Sequence, residues 1–100
     1  MSDDTFHTHA TACLQALAQW LEPYDNTGAL ELEEEEDALT LTLPDGKIYV
    51  INIHNAAQEV WLASPISGGH HFRWDGTHWS MRSGQELRAL LHMEIEEYIK

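Results

Sequence analysis

The stretch LELEEEEDALTLTLPDGKIYVIN, Leu30 to Asn52, decides the fold. Leu30 and Leu32 alternate with Glu31 and Glu33, and Leu39, Leu41 and Leu43 alternate with Thr40 and Thr42. A period of two places successive side chains on opposite faces, so both segments read as strands with one buried face. Pro44-Asp45-Gly46 has turn chemistry, and Lys47 to Ile53 continues as a third strand rich in β-branched residues. Between the first two strands run five consecutive acids, Glu33 to Asp37, which straddle a strand end and a turn. Such a run holds a metal, faces a basic partner or keeps a hairpin tip wet.

Further along the chain, Gln58 to Ala63 reads as a fourth strand carrying Trp61, and Ser64 to Gly69 as a loop. His70 to Trp74 and Thr77 to Arg82 flank Asp75-Gly76, a two-residue hairpin signal. That turn predicts Phe72 across from Trp79, with His71, Arg73, His78 and Ser80 on the other face. Two helices frame these strands. Phe6, Ala10, Cys13, Leu14, Leu17 and Leu21 recur at helical period from Asp3 to about Leu21. Ser2 is the expected N-cap, and Pro23 with Asp25 to Gly28 the expected stop; Asp4, Thr11, Gln15, Ala18 and Glu22 fall on the outward face. Ser83 to Glu86 has the form of a capping box before a second helix, whose apolar stripe is Leu87, Leu90, Leu91, Ile95 and Tyr98, interrupted by Glu94. Short connections make consecutive strands antiparallel neighbours. The expected fold is α+β: a two-layer α/β sandwich with both helices on one face of an antiparallel sheet of about six strands, residues 1–100 forming one domain.

Composition narrows the function. The chain has 100 residues, 43% of them apolar, and a net charge of -12. Residues 1–46 hold eleven acids and no Lys or Arg, so nearly the whole negative field belongs to that half. Such a field repels nucleic acid and anionic membrane and attracts metal cations and basic protein surfaces. No apolar run approaches the ~20 residues of a bilayer span, and the first residues lack an export signal. A chain beginning at Met1 and working in the cytoplasm is expected. Cys13 alone forms no internal disulfide, and its place in the helical stripe reads as a buried structural thiol. No nucleophile elbow, phosphate loop or zinc-spaced cysteine pair is present.

Carboxylates remain as the candidate chemistry. Asp3 and His7 stand at i, i+4 on the first helix, with Asp4 adjacent, a spacing that lets a carboxylate and an imidazole reach one cation. The same acids also complement the positive end of the helix dipole. Glu22 opposes the dipole at the other end, where Lys or Arg would be favoured by roughly 0.3–1 kcal/mol. Glu22, Asp25, Glu31 and Glu33 are expected to form a continuous carboxylate edge across helix and strand. Hard oxygen ligands on an open surface suit Fe, Mn, Mg or Ca weakly. His71 and His78 form a further candidate pair on a strand face.

From about residue 3 to residue 97 the chain resembles the bacterial frataxin family. The resemblance is carried by LTLTLPDGKIYVIN (Leu39 to Asn52), EVWLASPISGGHHFRW (Glu59 to Trp74) and the DG-x-x-W and SG-x-x-L-x-x-LL pattern of Asp75 to Leu91. It implies an iron-binding regulator or adaptor of iron–sulfur cluster assembly, not an enzyme, that docks on the cysteine desulfurase of the scaffold complex and is a monomer without metal. It also implies the alternative of an iron carrier, store or weak ferroxidase. The family's iron- and desulfurase-binding acids match Glu22, Asp25, Glu31 and Glu33; its exposed sheet tryptophan matches Trp61, with Asn52 on the same partner-binding surface. Departures from the family pattern are His54 and Ala56 after the third strand, Glu59 before the tryptophan, Ala18 and Gln19 at the helix end, and the extra acids Glu34 to Asp37. These last are expected to form a solvated turn that adds field more than ligands.

Overall fold

A computed structural model describes residues 2–99. Helix α1 spans Asp3–Asn26 and is followed by six strands: β1 Glu31–Glu34, β2 Ala38–Thr42, β3 Ile48–His54, β4 Glu59–Ser64, β5 Gly68–Trp74 and β6 Trp79–Ser80. Helix α2, Leu87–Ile95, and a 3-10 turn, Glu96–Tyr98, complete the order. The strands form one antiparallel meander in the order β1-β2-β3-β4-β5-β6. The α+β sandwich expected from the sequence is therefore present.

Register decides which side chains face the helices. Leu32, Leu41 and Tyr49 align on the inner face, as do Leu39, Ile51 and Leu62, and Ile53, Val60 and Phe72. They pack with Phe6, Ala10, Leu14, Leu17 and Leu21 of α1 and Leu87, Leu90, Leu91 and Ile95 of α2 into one core. Each fully buried aliphatic or phenyl side chain contributes roughly 1.5–3 kcal/mol. Glu31, Glu33, Thr40, Thr42, Val50, Asn52, Trp61 and His71 belong to the opposite, outer face.

Turns follow their residues. Gly46, with φ 89°, closes the β2–β3 turn by donating to the Leu43 carbonyl, a backbone state that favours glycine. Ser2 caps α1 by accepting from the Thr5 amide. Pro23 does not stop that helix. It lies inside, because Tyr24 packs on the core and its carbonyl accepts from the Ala29 amide, holding one more turn to Asn26. Ala18, expected outside, is buried, and Cys13 is half-buried at the stripe's margin.

Two expectations at the C-terminal end are corrected. The Ser83–Glu86 box does not open α2: the Met81 amide donates to the Gln85 carbonyl and holds this segment beside β6, and Glu86 itself is the cap, accepting from Arg88 and Ala89 amides. The Asp75-Gly76 signal gives a wider turn than two residues. Asp75 Oδ1 accepts from the Thr77 and His78 amides, so Trp74 aligns with Trp79 and Arg73 with Ser80, in place of Phe72 with Trp79. β6 shrinks to two residues.

Candidate functional site

Helix α1 packs chiefly against β1, the edge strand of the sheet. Glu22 is exposed and Asp25 half-exposed in the last two turns of α1; Glu31 and Glu33 are exposed on β1, turned outward because Leu32 between them faces the core. Helix continuation past Pro23 puts Asp25, like Glu22, against the dipole's negative end. None of the four carboxylates has a hydrogen bond or ion pair to a described side chain. That leaves their oxygens available to cations or to a basic surface. No three His, Cys, Asp or Glu side chains converge to hold one metal among the described residues. The donor set is an open array of hard oxygens.

The N-terminal candidates turn to different partners. Asp3 Oδ1 accepts from Gln58 Nε2 at 3.1 Å, and His7 Nε2 lies 3.2 Å from Asp37 Oδ1. The i, i+4 pair is thus divided between the β3–β4 turn and the β1–β2 turn, although Asp3, Asp4 and His7 line one shallow cavity with Asn55 and Gln58. Glu34 ends β1, and Glu35 to Asp37 form an exposed to half-exposed turn in which the Glu35 amide donates to Ala38 and the Asp37 carbonyl accepts from Ile53. His71 and His78 line separate clefts.

The outer face carries an aromatic group that single-residue reasoning missed. Asn52, Trp61 and His71 align across β3, β4 and β5. Trp61 is half-buried, with the His54 ring stacked 3.4 Å from its centroid and the His71 ring at 4.2 Å on a parallel plane. Its indole Nε1 donates to Glu59 Oε1 at 2.8 Å, while Arg73 Nε donates to Glu59 Oε2 at 2.8 Å. Hydrogen bonds from Arg73 and then Trp61 hold the Glu59 carboxyl below its ordinary value. The clue lay in register: His54, Glu59, Trp61, His71 and Arg73 share a face only once three strands are paired.

Other acids are structural. Glu94, the residue that interrupts the α2 stripe, accepts from Ser64 Oγ at 2.6 Å, Ser67 Oγ at 2.5 Å and Tyr49 Oη at 3.1 Å. Burial pushes its carboxyl up, but these hydrogen bonds outweigh burial and leave it below the usual value. The Ser64–Gly69 loop is thereby anchored to the helix. Burial, assisted by Glu86, pushes the Cys13 thiol up to about 12, so it is not a thiolate nucleophile at neutral pH. No helix among the described residues is long and apolar enough to cross a membrane.

Comparison with known proteins matches this fold. A relative from Paraburkholderia phymatum, an iron-sulfur cluster assembly protein CyaY, is 37% identical over 92 residues, covering 91% of this chain and 85% of that protein. Frataxin from Psychromonas ingrahamii superposes with a TM-score of 0.85 at 26% identity, covering 97% of this chain and 90% of that one. A trimeric frataxin from Saccharomyces cerevisiae, complexed with ferrous, superposes with a TM-score of 0.78 at 32% identity, covering 90% of this chain and 84% of that one. A frataxin-like domain matches residues 1–100, and the chain belongs to the frataxin family.

Proposed function

We propose that this chain is an iron-responsive regulator of iron–sulfur cluster assembly that docks on the cysteine desulfurase of the scaffold complex through Glu22, Asp25, Glu31 and Glu33. The reading is supported by family membership, by the role named for the Paraburkholderia relative and by the ferrous complex of the yeast one. The observation that carries it is that these four acids are outward and uncommitted on adjoining helix and strand. Their shared field steers a basic patch onto the edge, with a dependence on ionic strength. Ferrous iron is the cargo or signal. Because the same oxygens meet cation and basic patch, iron at the edge weakens docking, which makes the effect on assembly iron-responsive. No catalytic step is assigned: an open array of carboxylates lacks the converging ligands that tune metal chemistry. Asn52 and Trp61 form a second contact on the outer face, and the protein acts as a cytoplasmic monomer.

The test is the anaerobic rate of cluster formation on the scaffold by the desulfurase, with rising amounts of this protein at low and high ferrous iron. A dose- and iron-dependent change that disappears in the combined Glu22→Gln, Asp25→Asn, Glu31→Gln, Glu33→Gln variant is expected. No change at any dose overturns the regulatory reading and leaves iron carriage by the same carboxylates.

A further inference from the structure

The sheet has two free borders, and only one of them is guarded. At the first, β1 carries Glu31, Glu33 and Glu34, charges of the kind that keep a further strand from pairing there. The second border is uneven: β5 has seven residues, but β6 pairs with only Arg73 and Trp74 of them. Across that hairpin the Asp75 amide donates to the His78 carbonyl. Main-chain groups alternate sides along a strand, so Arg73, His71 and Gly69 turn theirs toward the β6 side as well. Arg73 meets Ser80 there. Beyond Ser80 the chain turns away, because the Met81 amide donates to the Gln85 carbonyl and the amide of Gly84, with φ 94°, donates to the Met81 carbonyl. The amides and carbonyls of Gly69 and His71 are left with no partner among the described residues, and both residues are exposed. Gly68 to Phe72 contains no Pro, Lys or carboxylate that would hinder pairing.

A cleft of about 720 Å³ is lined by His71 and Arg73 of β5 and by Ser80, Arg82 and Gly84 of the departing chain. The two carboxylates in it are committed: Glu59 accepts from Trp61 and Arg73, and Asp75 accepts from two backbone amides and Ser80 Oγ. Its guanidiniums are not. Arg73 uses only Nε in its described hydrogen bond and its side chain is 75% exposed, while Arg82 is exposed with no partner among the described residues. An unpaired strand edge offers main-chain hydrogen bonds to any extended segment, and the side chains beside it select which segment is held. Guanidinium selects a carboxylate, whose two oxygens match its paired N–H groups. We propose that the unpaired part of β5, Gly68 to Phe72, takes an added strand: an extended segment of a protein partner that brings a carboxylate side chain to Arg73 and Arg82. The added strand continues the line that β6 leaves at Ser80, in the plane of the sheet and apart from the outer face of Trp61. It uses neither the acidic edge nor iron.

The probe is the capped peptide acetyl-Thr-Val-Thr-Val-Glu-Val-Thr-amide, titrated into the full, isotope-labelled chain at low salt and followed by NMR. With peptide at about tenfold its Kd, hydrogen exchange at the Gly69 and His71 amides should slow by roughly tenfold, while the His70 and Phe72 amides, which face β4, should not change. The same peptide methylated on every peptide nitrogen keeps its side chains and loses its donors, and should bind at least about tenfold more weakly. Glu→Gln in the peptide and Arg82→Gln in the chain should each weaken binding by roughly two- to fivefold, and the two together by little more than either alone. Arg82 has no described partner, so that variant does not disturb the fold. Unchanged exchange at Gly69 and His71 with peptide bound, equal binding of the methylated peptide, or no binding at millimolar peptide overturns the proposal. So does protection of those two amides in the free chain; if it fades on dilution, the occupant of the edge is a second copy of this chain. Neither iron nor desulfurase is present in the experiment, so its failure and that of the regulatory reading are separate results.

Discussion

The acids of the helix–strand edge and three acids of the second half do opposite work. Glu22, Asp25, Glu31 and Glu33 have no described side-chain partner, while Glu59, Asp75 and Glu94 each collect hydrogen bonds from two or more separate groups. The committed carboxyls are all held below their ordinary values. Acids that receive donors contribute to stability; acids left without donors do not. Hydrogen bonding, more than the number of acids, separates scaffold from surface.

That comparison can be broken most directly at Glu94. Replacing it with Ala leaves Tyr49, Ser64 and Ser67 without their shared acceptor and should lower unfolding free energy by about 2–3 kcal/mol in urea titration. An effect within about 0.5 kcal/mol would place Glu94 with the surface acids. Glu59→Ala, which frees the Trp61 and Arg73 donors, should cost about 1–2 kcal/mol, reduced because Arg73 turns to water. The four-site edge variant should behave in the opposite sense, raising stability by up to ~1 kcal/mol at low salt with the gain fading as salt screens the repulsion. A loss of stability there would show hidden partners.

Acid titration sharpens the same contrast. The folded carboxyls of Glu59, Asp75 and Glu94 lie below their unfolded values, so their stabilisation is complete above the ordinary carboxylate range and is lost as pH falls through the lower folded values. Stability should therefore decline below about pH 4.5. Glu94→Ala should make that decline shallower, whereas the edge variant should leave the contribution of these three groups intact. The smallest effect is expected from neutralising Glu34 to Asp37 together. Partner binding should weaken by roughly twofold at low salt and be unchanged at high salt, with a further small loss of stability from the His7–Asp37 contact, worth roughly 0.2–1 kcal/mol. A large binding loss persisting at high salt would move those residues into the docking edge.

Legibility of the sequence varied with the range of the interaction that decided each feature. Strand alternation and helical period are local, and both helices and all six strands were readable from them. Pro23 shows the limit: its local effect is to stop a helix, but burial of Tyr24 beyond it supplies a tertiary anchor that no window of sequence contains. The Ser83 box failed for a related reason, since backbone pairing of Met81 with Gln85 competes with the cap. Asp3 and His7 have a spacing that permits one shared cation, yet Gln58 and Asp37, each remote along the chain, take one of the two apiece.

By itself the sequence determined the element order, the inward leucines and outward acids of the first strands, the charge asymmetry and the family, because each depends on neighbours a few residues apart or on motif identity. Only the tertiary structure decided which acids are committed and which are free, why Glu94 interrupts its stripe, and that Trp61 lies between His54 and His71. Those outcomes depend on strand register and on hydrogen bonds between residues far apart in the chain, 45 apart for Tyr49 and Glu94 and 55 for Asp3 and Gln58. A one-residue slip in register would reverse every face while leaving the local pattern unchanged.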